Sequence, residues 1–360
     1  MLNLLQFLFI AVNISLRPAR HSLLPCLSYL ADSCMSLDSD YFEAEMARTS
    51  KKVRVLDGSF ATELSNVVKD YFVEERPNWT FDAVMTHPGA VITVHRRFID
   101  AGADDITTNT YHASLSSLVQ QGLDGPGLIA KAVSMLKEAI ATQCPNDGRR
   151  IWGSIGSYAI CLRGLAAEYT ASFIDTSPAE EILKTMTDYH REQVKAMVAA
   201  GQSHILFETV SSLMEAQAIC DALSLSSCDD VKAVVSFTCR KDGFSVRHGE
   251  AFVDAVRLVL SNPKVVGFGV NCTHPKAVTS LLESVQSLVS NKEVFVYPNS
   301  GKYESEVGEE SAMKIILNSV EKWVELGVTV IGGCCGLDAR DISEIRKQVD
   351  SLLDARNDKE

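Results

Sequence analysis

The sequence predicts an α/β fold in which eight parallel strands, each followed by a helix, close into a barrel. From residue 51 onward, short β-branched runs alternate with longer segments of helical period, and there are eight such runs. The runs are continuously apolar, which is typical of parallel strands buried on both faces. They occupy about 300 residues, and about 250 residues is usual for the (β/α)8 or TIM barrel. An open, doubly wound sheet is the structural alternative, but no glycine-rich phosphate loop follows the first run.

The eight predicted strands are short and rich in β-branched residues. In chain order they are Val53–Asp57, Asp105–Thr110, Ile151–Gly156, His204–Thr209, Val231–Thr238, Val265–Asn271, Glu293–Pro298 and Val328–Gly333. No low-complexity linker separates them, so the sequence predicts one barrel domain over residues 50–356.

The segments between these strands carry the signals of helix starts and stops. Pro88–Ala101 has a proline in its first turn and stops before Gly102. Pro178–Ala200 follows Ser177, a residue type that caps helix N-termini, and ends at Gly201. The later predicted helices are Glu250–Leu260, Pro275–Val289, Glu310–Leu326 and Arg340–Leu353.

Residues 1–49 precede this rhythm and are predicted to be an N-terminal extension, either disordered or a targeting leader. The apolar stretch at 1–15 is too short and interrupted for a membrane span, and no positive charge precedes it as in a secretory signal. Arg17 and Arg20, the serines and the lack of acidic residues before Asp32 give the leader some transit-peptide character. Translation from Met35 or Met46 is the alternative. We therefore expect a cytoplasmic protein, with a mitochondrial or other organellar address as the second reading.

The charge balance argues against two classes of partner. The chain has 34 Lys and Arg against 46 Asp and Glu, a net charge of −12. A surface this acidic disfavours nucleic acid and anionic membrane as main partners and is compatible with a cationic small molecule. The ten cysteines are scattered through a long chain, unlike a small disulfide framework. Composition leaves the oligomeric state open.

Cys272, Cys334 and Cys335 are predicted to meet at one end of the barrel. Active sites of such barrels lie at the C-terminal ends of the strands, and these cysteines follow strands six and eight. Neighbours along a regular strand point to opposite faces, so adjacent cysteines share a metal only where the backbone bends. Three glycines supply that freedom: Gly332, Gly333 and Gly336. Three thiolates with one open position form a recognised type of zinc site.

Zinc held by three thiolates favours sulfur chemistry. The donors neutralise the metal and make it a poor acidifier of water, whereas hydrolytic zinc sites more often use His and carboxylate ligands. A substrate thiol in the fourth position is held as a nucleophilic thiolate at neutral pH. Thiol alkylation is therefore the predicted reaction. A zinc hydrolase on the same barrel, a barrel that zinc only staples, and a barrel with inert core thiols are the alternatives.

Four motifs resemble the homocysteine S-methyltransferase family. They are LDGSFATEL (Leu56–Leu64), ITTNTYHAS (Ile106–Ser114), GVNC (Gly269–Cys272) and GGCCG (Gly332–Gly336). WGSIGSY, EYT and FETV fall between them in the expected order, at 152–158, 168–170 and 207–210. The resemblance covers nearly everything from about Val53 to Ile345, and the GVNC and GGCC pair is its most specific part. It implies a zinc-dependent TIM-barrel enzyme that methylates homocysteine to methionine.

The resemblance also implies roles for individual residues. The implied zinc ligands are Cys272, Cys334 and Cys335, and the implied substrate residues are Asp57, Gly58, Trp79, Tyr111, Glu208 and Asn271. Acidic Asp57 and Glu208 suit the homocysteine ammonium by charge pairing. The aromatic face of Trp79 suits a methyl-bearing cation. A turn cap for Asp57, an internal ion pair for Glu208 and loop packing for Trp79 are the structural alternatives.

The donor is predicted to be a sulfonium, S-methylmethionine or S-adenosylmethionine. VYPNSG (Val296–Gly301) resembles the branch that uses these donors, and the further C-terminal segment of betaine-using relatives is not seen. S-methylmethionine is favoured because no nucleotide-binding loop is evident. Two departures from the family pattern bear on the donor side, Ser59 in place of Gly and 165–167 (LAA) in place of Asp-Gly-Ser. Selenocysteine or another thiol as acceptor stays open.

Overall fold

The computed structural model describes residues 53–71, 76–143, 148–162, 167–226, 228–301 and 310–357. Residues 1–49, the predicted extension, lie outside the described residues, and the predicted domain limits stay a prediction. Eight strands form a single sheet, and every pair in it is parallel. They are β1 (Arg54–Val55), β2 (Asp105–Thr107), β3 (Arg150–Gly156), β4 (His204–Val210), β5 (Lys232–Phe237), β6 (Val265–Asn271), β7 (Glu293–Tyr297) and β8 (Val330–Ile331).

The sheet closes on itself. Its order is β1-β8-β7-β6-β5-β4-β3-β2, so the first and second strands are the two ends. An isolated parallel bridge between Leu56 and Asp105 joins these ends, and the Asp104 N–H donates to the Val55 carbonyl at 2.7 Å. The predicted (β/α)8 barrel is confirmed.

Some strands are shorter than the sequence predicts, because the chain turns at their C-terminal ends. β2 stops at Thr107 rather than Thr110: the Thr110 N–H donates to the Thr108 carbonyl at 2.8 Å, which makes a turn. The Thr110 hydroxyl then donates to the Ser154 carbonyl at 2.7 Å. The polar residues of this segment therefore lie on the rim of the barrel rather than in the ladder.

Helices connect the strands on the outside. They are α1 (Phe60–Val67), α2 (Ala83–Thr86), α3 (Pro88–Asp100), α4 (Leu115–Gln120), α5 (Gly125–Gln143), α6 (Ala167–Thr170), α7 (Ala179–Ala199), α8 (Leu213–Leu225), α9 (Phe252–Leu260), α10 (Pro275–Ser284), α11 (Ala312–Glu325) and α12 (Ala339–Asn357). None of the helices in the described ranges is both long enough and apolar enough to cross a membrane.

Most helix limits differ from the prediction by one to five residues, and two of these differences contradict a specific expectation. Ser177 is not the N-cap of α7: Pro178 holds that place, and its carbonyl accepts from the Glu181 N–H at 3.0 Å without a side-chain cap. The prediction of one helix from Pro275 to Val289 is also wrong, because α10 ends at Ser284 and a separate 3₁₀ turn follows. His274 does start α10, and its Nδ1 accepts from the backbone of the first turn.

A charged network crosses the N-terminal end of the barrel. Asp105 is fully buried and accepts from Arg54 Nε at 2.6 Å and from Arg150 Nη2 at 2.5 Å. Arg150 also pairs with Glu293 of β7 at 2.6 Å, and Trp152 Nε1 donates to Asp105 at 3.3 Å. Structural contacts thus fill this end of the barrel, which leaves the opposite end for chemistry.

His95 of α3 is an unsatisfied polar group in the core. It is fully buried against Phe60, and neither ring nitrogen has a hydrogen-bond partner in the described part of the chain. Burial lowers the pKa of His95 from 6.5 to about 3, so the folded protein holds it neutral. The titration of His95 therefore leaves the free energy of unfolding unchanged above pH 6.5 and lowers it as the pH falls from 6.5 towards 3.

We expect His95→Leu to stabilise the protein. Removal of two unsatisfied nitrogens should raise the free energy of unfolding by about 1–3 kcal/mol at pH 7.5. The gain should grow by about 2 kcal/mol at pH 5, because only the wild type must then give up a proton on folding. Urea unfolding of both proteins at the two pH values measures this. A variant that is no more stable than wild type at either pH would show that the imidazole is satisfied.

Candidate active site

Three thiols meet at the C-terminal end of the barrel. Cys272 directly follows β6, and Cys334 and Cys335 lie in the loop after β8. Their sulfur atoms all lie within 4.8 Å of one another. Cys335 Sγ is 3.4 Å from Cys272 Sγ and 4.0 Å from Cys334 Sγ, while Cys272 and Cys334 are joined as a disulfide. This thiol cluster is the core of the candidate site.

The backbone around the cluster bends at two places. Cys272 has a φ of +45°, an uncommon conformation for a residue with a side chain and one that concentrates at functional sites. Gly336 has a φ of +82°. Gly332 and Gly333, which were also predicted to supply backbone freedom, do not have positive φ. Both allow close packing instead, since a Cβ would lie 2.7 Å from the Leu56 Cβ at the first and 2.8 Å from the Leu337 Cβ at the second.

The cluster fits a tetrahedral metal. Zinc–sulfur bonds of about 2.3 Å place neighbouring sulfurs about 3.8 Å apart, close to the 3.4 and 4.0 Å distances that Cys335 makes. Burial raises the pKa of the Cys335 thiol to about 11, so a thiolate there needs a compensating cation. A disulfide offers no thiolate, so metal binding requires Cys272 and Cys334 in the reduced state.

Two carboxylates lie at the same end of the barrel. Asp57 is buried after β1, and its Oδ2 accepts from the Thr107 N–H at 2.8 Å and the Thr107 hydroxyl at 3.0 Å. Glu208 of β4 accepts from the Ser154 hydroxyl, and no basic side chain in the described ranges forms a salt bridge with it. Burial raises the pKa of Asp57 well above its ordinary value, and repulsion from Glu208 adds to the rise. Burial raises the pKa of Glu208 to about 7. Such a pair gains from a bound cation.

Asn271 connects these strands to the thiols. It is buried at the end of β6, where its Oδ1 accepts from the Thr209 N–H at 3.0 Å and its Nδ2 donates to the Thr209 hydroxyl at 2.9 Å. The same Nδ2 lies 3.9 Å from Cys334 Sγ. Thr209 has a φ of +61°, so this pair of hydrogen bonds holds a strained backbone beside the thiol cluster.

An aromatic wall, formed by Trp79, His112, Tyr111 and Tyr169, borders the site. Trp79 stacks on His112 with ring centroids 5.2 Å apart, and His112 meets Tyr111 edge-on at 4.7 Å. Burial lowers the pKa of His112 to about 3, so its ring is neutral and does not repel a cation. Tyr111 donates to Glu168, whose neighbour Tyr169 places its hydroxyl 4.0 Å from Cys335 Sγ. The wall therefore runs from Trp79 to the thiol cluster.

Besides His112, three residues of this neighbourhood were not predicted as site residues. Glu168 and Tyr169 belong to the EYT segment, which the sequence analysis placed in order but gave no role. Arg247, in the loop after β5, lies over the Tyr169 ring at 5.2 Å and donates from Nε to the Thr238 hydroxyl at 3.2 Å. The sequence offered no signal for Arg247, since a single arginine in a loop does not predict a site.

The first of the two family departures has a structural explanation. Ser59 caps α1, and its Oγ accepts from the Thr62 N–H at 3.2 Å and the Thr62 hydroxyl at 2.9 Å. The Thr62 hydroxyl in turn accepts from the Gly336 N–H at 3.2 Å, which ties the cap to the loop of the cysteine pair. Residues 165 and 166 of the second departure lie outside the described residues.

Comparison with known proteins gives a family match over most of the chain. The model of the homocysteine S-methyltransferase family matches residues 54–349, which include all three cysteines of the cluster. A betaine-homocysteine S-methyltransferase from Drosophila melanogaster is 34% identical, over 84% of this chain and 96% of the relative. A selenocysteine Se-methyltransferase from Brassica oleracea var. italica is 30% identical, over 86% and 92%.

A solved structure is similar in fold and length. The homocysteine methyltransferase MmuM from Escherichia coli, in its metallated form, superposes with a TM-score of 0.69 at 27% sequence identity. The superposition covers 83% of this chain and 97% of that protein. The barrel fold is thus shared with a homocysteine methyltransferase.

Proposed function

Because the chain belongs to the homocysteine S-methyltransferase family, we propose that it is zinc-dependent and transfers a methyl group from a sulfonium donor to homocysteine, forming methionine. Family membership makes the chain a methyltransferase; the metal and the donor are the proposal. The observation that carries it is the meeting of three thiols with two carboxylates, the buried Asp57 and the half-buried Glu208, at one end of the barrel. Three sulfur ligands and an adjacent ammonium site suit an amino acid that carries a thiol.

In this proposal Cys272, Cys334 and Cys335 hold the zinc. The bound ion would supply the positive charge that keeps a substrate sulfur deprotonated at neutral pH. Asp57 and Glu208 bind the ammonium of homocysteine, and this fixes the direction of its side chain. The ammonium also relieves the repulsion between the two carboxylates, which adds to the effect of burial in raising the pKa of Asp57 in the free enzyme.

The aromatic wall receives the methyl donor. A sulfonium cation is attracted to the aromatic face of Trp79, and the neutral His112 ring leaves that attraction intact. The thiolate sulfur forms a bond to the methyl carbon while the bond from that carbon to the sulfonium sulfur breaks. The donor leaves as a neutral thioether that takes the bonding electrons, so no general acid is needed. Positioning is then the main task of the protein.

Betaine is the second candidate donor, because the Drosophila melanogaster relative at 34% identity carries betaine in its name. Its trimethylammonium group would suit the same aromatic wall. Its leaving group is an amine, which departs less readily than a thioether. On the acceptor side, the Brassica oleracea relative is named for selenocysteine, so selenocysteine belongs among the acceptors to be compared.

Methionine formation with three donors tests the proposal. At saturating homocysteine, we expect S-methylmethionine or S-adenosylmethionine to support turnover and betaine to be slower by about a hundredfold or more, because its amine is the poorer leaving group. Product is quantified by chromatography, with a reaction lacking homocysteine as control. Methionine from betaine alone would overturn the donor assignment while leaving the fold and the thiol cluster untouched. Methionine from none of the three would overturn the proposed reaction.

A further inference from the structure

Arg247 places a cation beside the thiol cluster. Its Nη2 points to the carbonyl of Cys272 at 3.5 Å, and its Nε donates to the hydroxyl of Thr238, the first residue after β5. Its guanidinium lies 5.2 Å from the centre of the Tyr169 ring, and the Tyr169 hydroxyl lies 4.0 Å from Cys335 Sγ. The guanidinium therefore contacts the backbone of Cys272 directly, and it is connected to Cys335 through the Tyr169 ring.

The site is otherwise lined by acidic groups. Asp57, Glu208 and Glu168 are carboxylates, and reduced thiolates add to them. Amino-acid substrates carry an ammonium and a carboxylate, and only the ammonium is matched by these acids. A guanidinium is the side chain best suited to a carboxylate, because its planar fork donates two parallel hydrogen bonds.

We propose that Arg247 binds the carboxylate of the methyl donor and so selects donors of the amino-acid type, an inference that rests on the proposed methyl transfer. Arg247 lies nearer the loops than Glu208 does, and for this reason we assign its carboxylate partner to the donor rather than to homocysteine. Glu208 lies inside β4, two residues before its end at Val210, whereas Arg247 contacts the first residues beyond β5 and β6. The acceptor ammonium thus binds below the thiol cluster, and the donor approaches from the loops above it.

A purely structural role for Arg247 makes a different prediction. Its contact with Tyr169 could simply hold that ring in place, and its loss would then slow methyl transfer from every donor alike. Binding of a carboxylate affects only donors that possess one. Trimethylsulfonium carries the reactive sulfonium of S-methylmethionine without a carboxylate, and tetramethylammonium has the same relation to betaine. These pairs separate the two roles whichever donor class the enzyme uses.

The test compares zinc-loaded wild type, Arg247→Gln, Arg247→Lys and the control Arg257→Gln. Arg257 is an exposed cation of α9, the helix that follows the Arg247 loop, and it pairs with Asp254 of the same helix at 2.7 Å. We expect Arg247→Gln to raise the KM for the carboxylate donor by about 10- to 100-fold, as expected for loss of a charged hydrogen-bonded pair. The KM for homocysteine and the rate with the carboxylate-free donor should change less than about threefold. Arg247→Lys should recover part of the loss, and Arg257→Gln should behave as wild type.

Each other outcome overturns the inference. An equal loss with both donors of a pair would show that Arg247 only supports Tyr169. A rise in the KM for homocysteine, with the donor KM unchanged, would assign Arg247 to the acceptor carboxylate. If wild type methylates homocysteine with none of the donors, the proposed function fails as well, and that result is read from wild type alone.

Discussion

We expect Cys334→Ala to abolish methionine formation and to remove most of the bound zinc. Only Cys272 and Cys335 would remain as protein ligands, and two thiolates hold zinc far more weakly than three. We expect zinc to fall from about one ion per chain to below about 0.2, with kcat reduced by about a thousandfold or more, because the substrate sulfur loses the charge that keeps it ionised. Elemental analysis of gel-filtered protein and initial rates measure both effects.

The matched control for this experiment is Cys220→Ala. Cys220 is a buried thiol of α8 outside the thiol cluster, so its loss should leave zinc content and turnover unchanged. All proteins are prepared with a reductant, because the disulfide between Cys272 and Cys334 removes two of the three donors. A full zinc complement in reduced Cys334→Ala would overturn the ligand assignment.

X-ray absorption at the zinc edge adds a direct view of the ligands. We expect the spectrum to show three sulfur atoms bound to zinc in the reduced enzyme and a fourth after addition of homocysteine, because the substrate thiol enters the open position. A zinc hydrolase would show no added sulfur and would act without a thiol substrate. A zinc that only staples β6 to β8 would keep one spectrum with and without homocysteine while still stabilising the fold.

Glu208→Gln is expected to lower kcat/KM for homocysteine by about 30- to 1000-fold. The substitution keeps the shape of the side chain and its contact with the Ser154 hydroxyl, but it removes the charge that pairs with the substrate ammonium. Loss of one partner from an enclosed charge pair costs about 2–4 kcal/mol, which corresponds to this range. Initial rates at low homocysteine concentration measure it.

The pH dependence supplies a second readout for the same variant. Burial raises the pKa of Glu208 to about 7 in the free enzyme, and only its ionised form pairs with an ammonium. In wild type, kcat/KM for homocysteine should therefore fall about tenfold for each pH unit below 7, and this limb should be absent from Glu208→Gln. Glu63→Gln is the control, since Glu63 is a buried carboxylate paired with Arg97 in the outer helical layer. Equal kcat/KM values for Glu208→Gln and wild type would remove Glu208 from the substrate site.

The barrel could be predicted because its signal is local and repeated. β6 has the bounds predicted from the sequence, Val265–Asn271, since the apolar run ends where the chain leaves the buried sheet. The approach of Cys272 to Cys334 then followed from topology, because the carboxyl ends of parallel strands share one edge of the barrel. The places of Asp57 and Glu208 followed in the same way, whereas their roles towards a substrate stay predictions.

Local signals were less reliable where two neighbouring residues compete for one role. Ser177 has the right chemistry for an N-cap, but Pro178 follows it and takes the position, since its fixed φ suits a helix entry. The two glycines before Cys334 were expected to supply backbone freedom. The structure gives a different reason for them, because a Cβ at either position would be too close to Leu56 or Leu337. The first difference is decided by the adjacent residue, and the second by contacts with Leu56 and Leu337.

The sequence by itself determined the order of strands and helices, the buried faces and the three thiols at one rim, because periodicity reports which face of each element leaves water. Only the tertiary structure decided which loop side chains meet. Arg247 lies over Tyr169, 78 positions away in the chain, and the buried ring of His95 has no hydrogen-bond partner for its nitrogens among the described residues. Such contacts depend on loop conformations, including the positive φ of Thr209 and Cys272, and these are set by packing across the barrel rather than by residue type.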